Sequence, residues 1–284
     1  MERLHAVRTS RLGGYRTTHD FRHFAAFHSS EEFLSLVKEA QAEGLRVYIL
    51  GRGSNTFFAA STVRTAVLKN ALPESIEVIR EDADSVTVRT SSSVSLMKVL
   101  RYCEVRGLHS FYFLASVPGN VGGAVAMNAG GPMGAATIWD FVDNITICAD
   151  GGIESIKKSE LQIKHRHTAF TGLHDKCIVS VEFTFRKEMR ILNSITSRIE
   201  WCKTHQDLTG PSLGSVFVDG NGYVFAVLKR LGIGAAGSHW SRKWPNWIVC
   251  TRGSLGGIWF CITAARVLHM LSGMRPRLEI VAVR

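Results

Sequence analysis

Along the first half of the chain the apolar positions switch between helical and strand spacing. Phe33, Leu36, Val37 and Ala40 recur at three and four residues, which puts them on one face of a helix predicted over residues 30–44. Ser29 or Ser30 can cap that helix, Glu31 and Glu32 suit its positive end, and Gly44 closes it. RVYIL (46–50) then reads as a short buried strand. AVLKN (66–70), SIEVIRED (75–82) and SVTVRTSS (85–92) show the period-two alternation of further strands. SLMKVLRYCEVRG (95–107) returns to helical spacing and ends on Gly107. FVDNITICADGG (141–152) and KCIVSVEFTFRK (176–187) are strand-like, with Asp150-Gly151 as a turn signal. EMRILNSITSRIEWCKTH (188–205) predicts a helix, and a second αβ segment runs on from it. A domain boundary is therefore expected near residue 187, with 1–186 as one domain and 187–284 as another.

One stretch fits neither spacing. From Ser110 to Trp139 there is no charged residue, and the middle of the run reads SVPGNVGGAVAMNAGG (116–131). Its length would cross a bilayer, but Pro118, Gly119, Gly122, Gly123, Gly130, Gly131, Pro132 and Gly134 interrupt every window. An interior glycine costs a helix about 1 kcal/mol and a proline about 3 kcal/mol. Asn120 and Asn128 would also sit in lipid. A span is excluded on these grounds, and no membrane partner is expected. Two readings stay open: a glycine-rich buried turn, or a backbone that approaches a ligand closely because no Cβ stands in the way.

Composition narrows the classes. With 45% hydrophobic and 20% charged residues over 284 positions, the chain can bury a sizeable core, and two domains are the soft expectation. The start shows no basic segment leading into an apolar one, so no secretory signal is expected. The six cysteines are scattered, with no CxxC pair, and read as reduced core thiols rather than a disulfide framework or zinc site. No metal is expected, and the compartment implied is the cytoplasm. The net charge of +10 is dispersed, without a basic arm or interleaved aromatics. That favours small polyanions such as nucleotide diphosphates over nucleic acid as partners.

VYIL followed by GRGSNT approaches the strand–GxGxxG–helix fingerprint of dinucleotide-binding folds. Threonine replaces the third glycine, and the next residues are β-branched and lack a clear amphipathic helix. That reading fails. What remains is a glycine turn whose N–H groups, with Ser54 and Asn55, can grip a phosphate.

The two glycine segments together are more specific than either alone. LGRGSN (50–55) with SVPGNVGGAVAMNAG (116–130) resembles the FAD-binding signature of the UDP-N-acetylenolpyruvoylglucosamine reductases, also called UDP-N-acetylmuramate dehydrogenases. Only Val117 departs from the second motif, where the family has isoleucine. The resemblance implies an α+β protein of the PCMH or vanillyl-alcohol-oxidase type, in which two α+β subdomains hold FAD and a smaller C-terminal αβ domain takes the substrate. It places FAD against Gly51, Arg52, Gly53, Ser54 and Asn55 in the first loop. In the second it implies Ser116, Val117, Pro118, Gly119, Asn120, Gly122, Gly123, Ala124 and Asn128, with Val179 beyond. The uncharged run then becomes a loop and strand wrapped around the flavin.

The resemblance extends into the substrate half. HRHTAF (165–170) resembles Tyr-Arg-x-Ser-x-Phe and brings Arg166 onto the arginine that binds the substrate carboxylate. PSLGSVF (211–217) puts Ser215 on the catalytic serine, and GMRPRLEI (273–280) puts Glu279 on the catalytic glutamate. The implied reaction is the NADPH-dependent reduction of UDP-N-acetylglucosamine enolpyruvate by a monomeric enzyme acting on a nucleotide sugar. Arg166 and a protonated Glu279 would stabilise charge on the substrate carboxylate, and Ser215 would protonate the α-carbon. Several positions depart from the family. His165 replaces tyrosine and Thr168 serine; Val218, Asp219 and Gly220 replace Lys-Asn-Pro. Trp244 replaces a histidine, Cys250 an asparagine and Val281 an arginine, while only Thr17-Thr18 survives of Thr-Thr-x-Arg-x-Gly-Gly. Such drift leaves two alternatives: a related flavoenzyme recruited to another small molecule, or a flavin-binding protein without turnover.

Overall fold

The computed structural model describes residues 2–131, 136–188 and 195–284. In chain order these form β1 (His5–Thr9), β2 (His19–Phe27), α1 (Ser30–Ala42), β3 (Val47–Leu50), β4 (Thr56–Phe58), β5 (Thr62–Asn70), β6 (Ile76–Glu81), β7 (Ser85–Ser91) and α2 (Leu96–Val105). There follow α3 (Val121–Ala126), β8 (Val142–Ala149), β9 (Gly152–Lys157), β10 (Cys177–Arg186), α4 (Ile195–His205) and α5 (Gly222–Leu231). The last elements are β11 (Gly234–Ala235), β12 (Ser238–Trp240), β13 (Ile248–Cys250), α6 (Leu255–Leu271) and β14 (Val281–Val283). The class is α+β, as expected. Residues 189–194 of the helix expected over 188–205 lie outside the described residues.

The chain divides into two compact units, one of residues 1–5, 23–52 and 65–200, the other of 6–22, 53–64 and 201–284. The division cuts the first glycine loop between Arg52 and Gly53.

In the first unit, α1 starts at Ser29, whose hydroxyl accepts the Glu32 N–H. Its predicted face of Phe33, Leu36, Val37 and Ala40 is buried with Val47, Ala66 and Leu68. β3 and β5 pair in parallel, from Val47 opposite Ala66 to Leu50 opposite Lys69. β5 begins four residues before the expected AVLKN strand, because Thr62, Val63 and Thr65 favour extended backbone. The strands β6-β7-β10-β8-β9 form a five-stranded antiparallel sheet. Val86, Val88, Ile145 and Phe183 of that sheet pack with Leu96, Val99 and Leu100 of α2 and with Val121 and Val125 of α3. Each such side chain contributes about 1.5–3 kcal/mol on burial.

In the second unit β14 pairs in parallel with β4, and β11-β12-β13 form a small antiparallel sheet. α5 and α6 cover a core of Tyr15, Phe57, Phe217, Leu228, Trp240, Ile248, Ile258 and Ile262. The indole N–H of Trp259 donates to the Ala59 carbonyl at 2.9 Å, and that of Trp240 to the Cys261 carbonyl at 3.0 Å. All six cysteines are buried free thiols. Among the described residues no helix is long and apolar enough to cross a membrane.

Candidate flavin site and active site

The glycine run corrects one expectation. Rather than a loop and strand, Val121–Ala126 is a helix. Propensity argues against it, but Asn120 caps it: the backbone at Asn120 is extended and its Oδ1 accepts the Gly123 N–H at 3.1 Å. The amides of its first turn are all engaged. Val121 N–H donates to Val94 O, Gly122 N–H to Ser92 O and Ala124 N–H to Asn120 O. The glycines serve close approach between parts of the protein. A Cβ on Gly122 would lie 2.8 Å from Ser92 Cβ, and one on Gly123 would lie 2.9 Å from Asn120 Oδ1. Ser116, Val117, Pro118 and Gly119 lead into this cap, with Gly119 O accepting the Leu96 N–H. Ala124 is buried within the helix, and Val179 O accepts the Ser92 N–H.

The first loop meets the second at Asn120. A Cβ on Gly51 would stand 2.6 Å from Asn120 Oδ1. Lys69, opposite Leu50 in β5, donates through Nζ to the Gly51 carbonyl. Burial, and then the positive charge of Arg52, hold the Lys69 pKa below its usual value. Two cations crowded beside one loop suit an anionic ligand, since a bound negative charge relieves both. Lys69 was not singled out in the sequence; a lysine between buried Leu68 and Asn70 in an apolar strand was the available signal. Gly51, Asn120, Gly122 and Gly123 line an open cleft with about 370 Å³ of atom-free space, together with Phe170, His174, Lys176 and Ile178. Burial keeps His174 below the ordinary imidazole pKa. In the neutral ring Nε2–H donates to Phe170 O at 2.6 Å and Nδ1 accepts the Lys176 N–H at 3.4 Å.

Arg166 joins this group through a tight turn. Lys164 and His167 exchange backbone hydrogen bonds, with Arg166 between them at φ 55°. Its Nη2 donates to Gly130 O at 3.3 Å. Thr168 donates through Oγ1 to Ala126 O at 2.7 Å and so ties the turn to α3. Asn128, at φ 44°, donates through Nδ2 to Lys164 O. Its Oδ1 is buried with no partner among the described residues. A buried acceptor of this kind costs about 1–3 kcal/mol unless a ligand supplies a donor.

Gly53, Ser54, Asn55, Ser215 and Glu279 belong to the second unit. Gly53, at φ 71°, would place a Cβ 2.0 Å from Leu12 O. Ser54 lies in the turn that follows. Asn55 does more than line a loop: its Nδ2 donates to Glu279 O at 3.0 Å, and its carbonyl accepts the Val281 N–H. The Glu279 N–H donates to the carbonyl of Val216, the residue after Ser215. Ser215 is half-buried and bridges to Trp247, while Asn246 clamps the next strand positions through Oδ1 to Phe217 N–H and Nδ2 to Phe217 O. At the position of the family's Lys-Asn-Pro, Asp219 accepts from Arg277 N–H and Nε. Thus Asn55, Ser215 and Glu279 come together in one unit, and Gly51, Asn120, Asn128 and Arg166 in the other.

The residues present fit FAD: an open cleft bordered by Gly51, Gly122 and Gly123, a cation pair beside the first loop and an orphaned buried acceptor. Comparison with known proteins agrees. Residues 21–155 match the family model described as FAD binding domain. The chain is 29% identical over 260 residues to the UDP-N-acetylenolpyruvoylglucosamine reductase of Myxococcus xanthus, covering 88% of this chain and 78% of that protein. The reductase of Moorella thermoacetica is 28% identical over 252 residues, covering 87% and 78%. The crystal structure of the Thermus caldophilus enzyme superposes with a TM-score of 0.76 at 17% identity, over 99% of this chain and all of that one, and shows the same fold. The chain is an FAD-dependent oxidoreductase that is similar over most of its length to the UDP-N-acetylenolpyruvoylglucosamine reductases.

Proposed function

We propose that this protein reduces UDP-N-acetylglucosamine enolpyruvate to UDP-N-acetylmuramate with NADPH, in the cytoplasm and as a monomer, for peptidoglycan precursor synthesis. The observation that carries the reading is the pair of glycine loops meeting at Asn120, with Lys69 and Arg52 beside them. Arg52 and Lys69 would hold the cofactor's pyrophosphate. Gly51, Gly53, Ser54, Asn55 and the segment from Ser116 to Ala124 would form its cradle, with Val179 beside it and Asn128 Oδ1 accepting a donor from it. When bound, FAD supplies two-electron hydride chemistry between the nicotinamide and the enolpyruvyl group.

The chain's own residues would manage binding and protons. The Arg166 guanidinium, permanently charged, pairs with the substrate carboxylate and favours the charge that builds there during reduction. Glu279, protonated, adds a hydrogen bond to the same carboxylate. Ser215 donates its Oγ proton to the α-carbon. Asn55 fixes the backbone of Glu279 and Asn246 that of Phe217, so both groups are positioned before the substrate arrives. The test is anaerobic: NADPH should bleach the flavin absorbance of the purified protein, and UDP-N-acetylglucosamine enolpyruvate should restore it. Bleaching without restoration would remove this substrate.

A further inference from the structure

Between Asn221 and Leu278 the chain has no aspartate or glutamate in 58 residues, against eight lysines and arginines. This stretch contains α5 and α6, which pack on each other. α6 reads LGGIWFCITAARVLHML, apolar on every side except for Arg266 and its small polar residues. A helix apolar all round is ordinarily enclosed. Here one side enters the core through Ile258, Cys261, Ile262 and Ala265, while Phe260, Val267 and Leu271 are 47%, 49% and 80% exposed. On α5 the residues Tyr223, Val227 and Leu231, spaced by four, are 86%, 44% and 56% exposed, with Val224 and Leu228 buried on the other side. Arg230 on α5, Arg266 on α6 and Arg275 just after α6 are also exposed.

We propose that the solvent side of the α5–α6 pair docks on an anionic phospholipid bilayer. Large apolar side chains flanked by cations and free of acids are what a headgroup layer accepts. At 17 residues α6 is about 26 Å long, short of the roughly 30 Å hydrocarbon core, so it lies in the interface and does not cross. The expectation of no membrane partner rested on the missing span, which interfacial docking does not need. A second copy of the chain would set like charges against like, whereas anionic lipid neutralises them. Protruding single side chains such as Tyr223 and Leu271 suit a fluid layer that closes around each one.

The test is co-sedimentation of the purified protein with vesicles of equal parts phosphatidylglycerol and phosphatidylcholine, against phosphatidylcholine alone. The protein should pellet with the first, stay in solution with the second, and be released by added salt. Arg266→Gln should weaken partitioning about fivefold. Tyr223→Ser with Leu271→Ser should weaken it at least tenfold. Both positions are exposed, so circular dichroism, FAD content and turnover should match the unaltered protein. Equal binding to neutral vesicles, binding to neither, or a double variant that binds as before overturns the proposal. A dimer in light scattering that Leu271→Ser dissolves, without vesicle binding, would assign the face to a second copy and overturn it too. Vesicle sedimentation does not read the cofactor, so this test stands apart from the flavin assignment.

Discussion

Gly122→Ala adds one methyl group where Ser92 leaves no room. The new Cβ would lie 2.8 Å from Ser92 Cβ and 3.3 Å from Ser92 O, and the Ser92 hydroxyl is itself held by Asn70 Nδ2 at 2.8 Å. Ser92 is fully buried and cannot swing away, so the start of α3 must retreat. Overpacking of this kind costs about 1–3 kcal/mol. Retreat also stretches the hydrogen bond from Gly122 N–H to Ser92 O, which is worth about 0.5–1.5 kcal/mol. Urea unfolding of the cofactor-free protein should therefore show a loss of about 1.5–4.5 kcal/mol, the sum of those two ranges. FAD content should fall, because α3 carries Asn120 and its cap. Ser92→Gly removes the colliding Cβ but orphans Asn70 Nδ2, itself a loss of about 1–3 kcal/mol. The two changes together should cost at least 1 kcal/mol less than their sum, the coupling expected of residues in contact. Additive losses would refute the argument that Gly122 is required by Ser92. An unaltered Gly122→Ala protein would refute the crowding itself.

The protein should purify yellow and release FAD on heating; a colourless protein unable to take up FAD would sink the flavin reading. Ser215→Ala should leave flavin reduction by NADPH nearly unchanged and slow reoxidation by the enolpyruvyl substrate about 10²–10⁴-fold in rapid-mixing absorbance. Equal losses in both halves would indicate a docking defect instead. Lys69→Met should weaken FAD binding about ten- to a hundredfold in equilibrium titration, the range of one lost charge-assisted hydrogen bond. Because the folded protein depresses the Lys69 pKa, it holds fewer protons than the unfolded chain between that depressed value and 10.5. Stability of the cofactor-free protein should then rise with pH across that window while FAD affinity falls, and the Lys69→Met protein should lose both trends.

Elements set by local spacing were legible in the sequence: the α1 face, α2, β3 and the strands β6, β7, β8 and β10 follow from apolar periodicity and turn residues. α3 was not, because its two glycines oppose a helix on propensity, and only the Asn120 cap and the contact with Ser92 outweigh that. β1 and β2 were missed for a different reason: the histidines and arginines between their apolar residues hide the alternation. At the site, the loop motifs picked out the segments that meet at Asn120, but Asn55 and Glu279 are 224 residues apart and no spacing reveals their bond. The expected role of the glycine amides also changes. Those of α3 are satisfied internally, so charge beside the cradle falls to Lys69 and Arg52.

The parallel pairing of β14 with β4 bears on how the molecule is made. Thr56–Phe58 leave the ribosome early and Val281–Val283 more than two hundred residues later, yet among the described residues each supplies the other's only partner strand in that sheet. Contacts so distant in sequence form slowly, since a long loop must close before they stabilise anything. Residues 65–200 can collapse while synthesis continues, whereas β4 waits with an open edge. A nascent chain interrupted before Val281 would therefore carry β4 as an unpaired strand, and would be drawn toward aggregation rather than toward an inactive but folded protein.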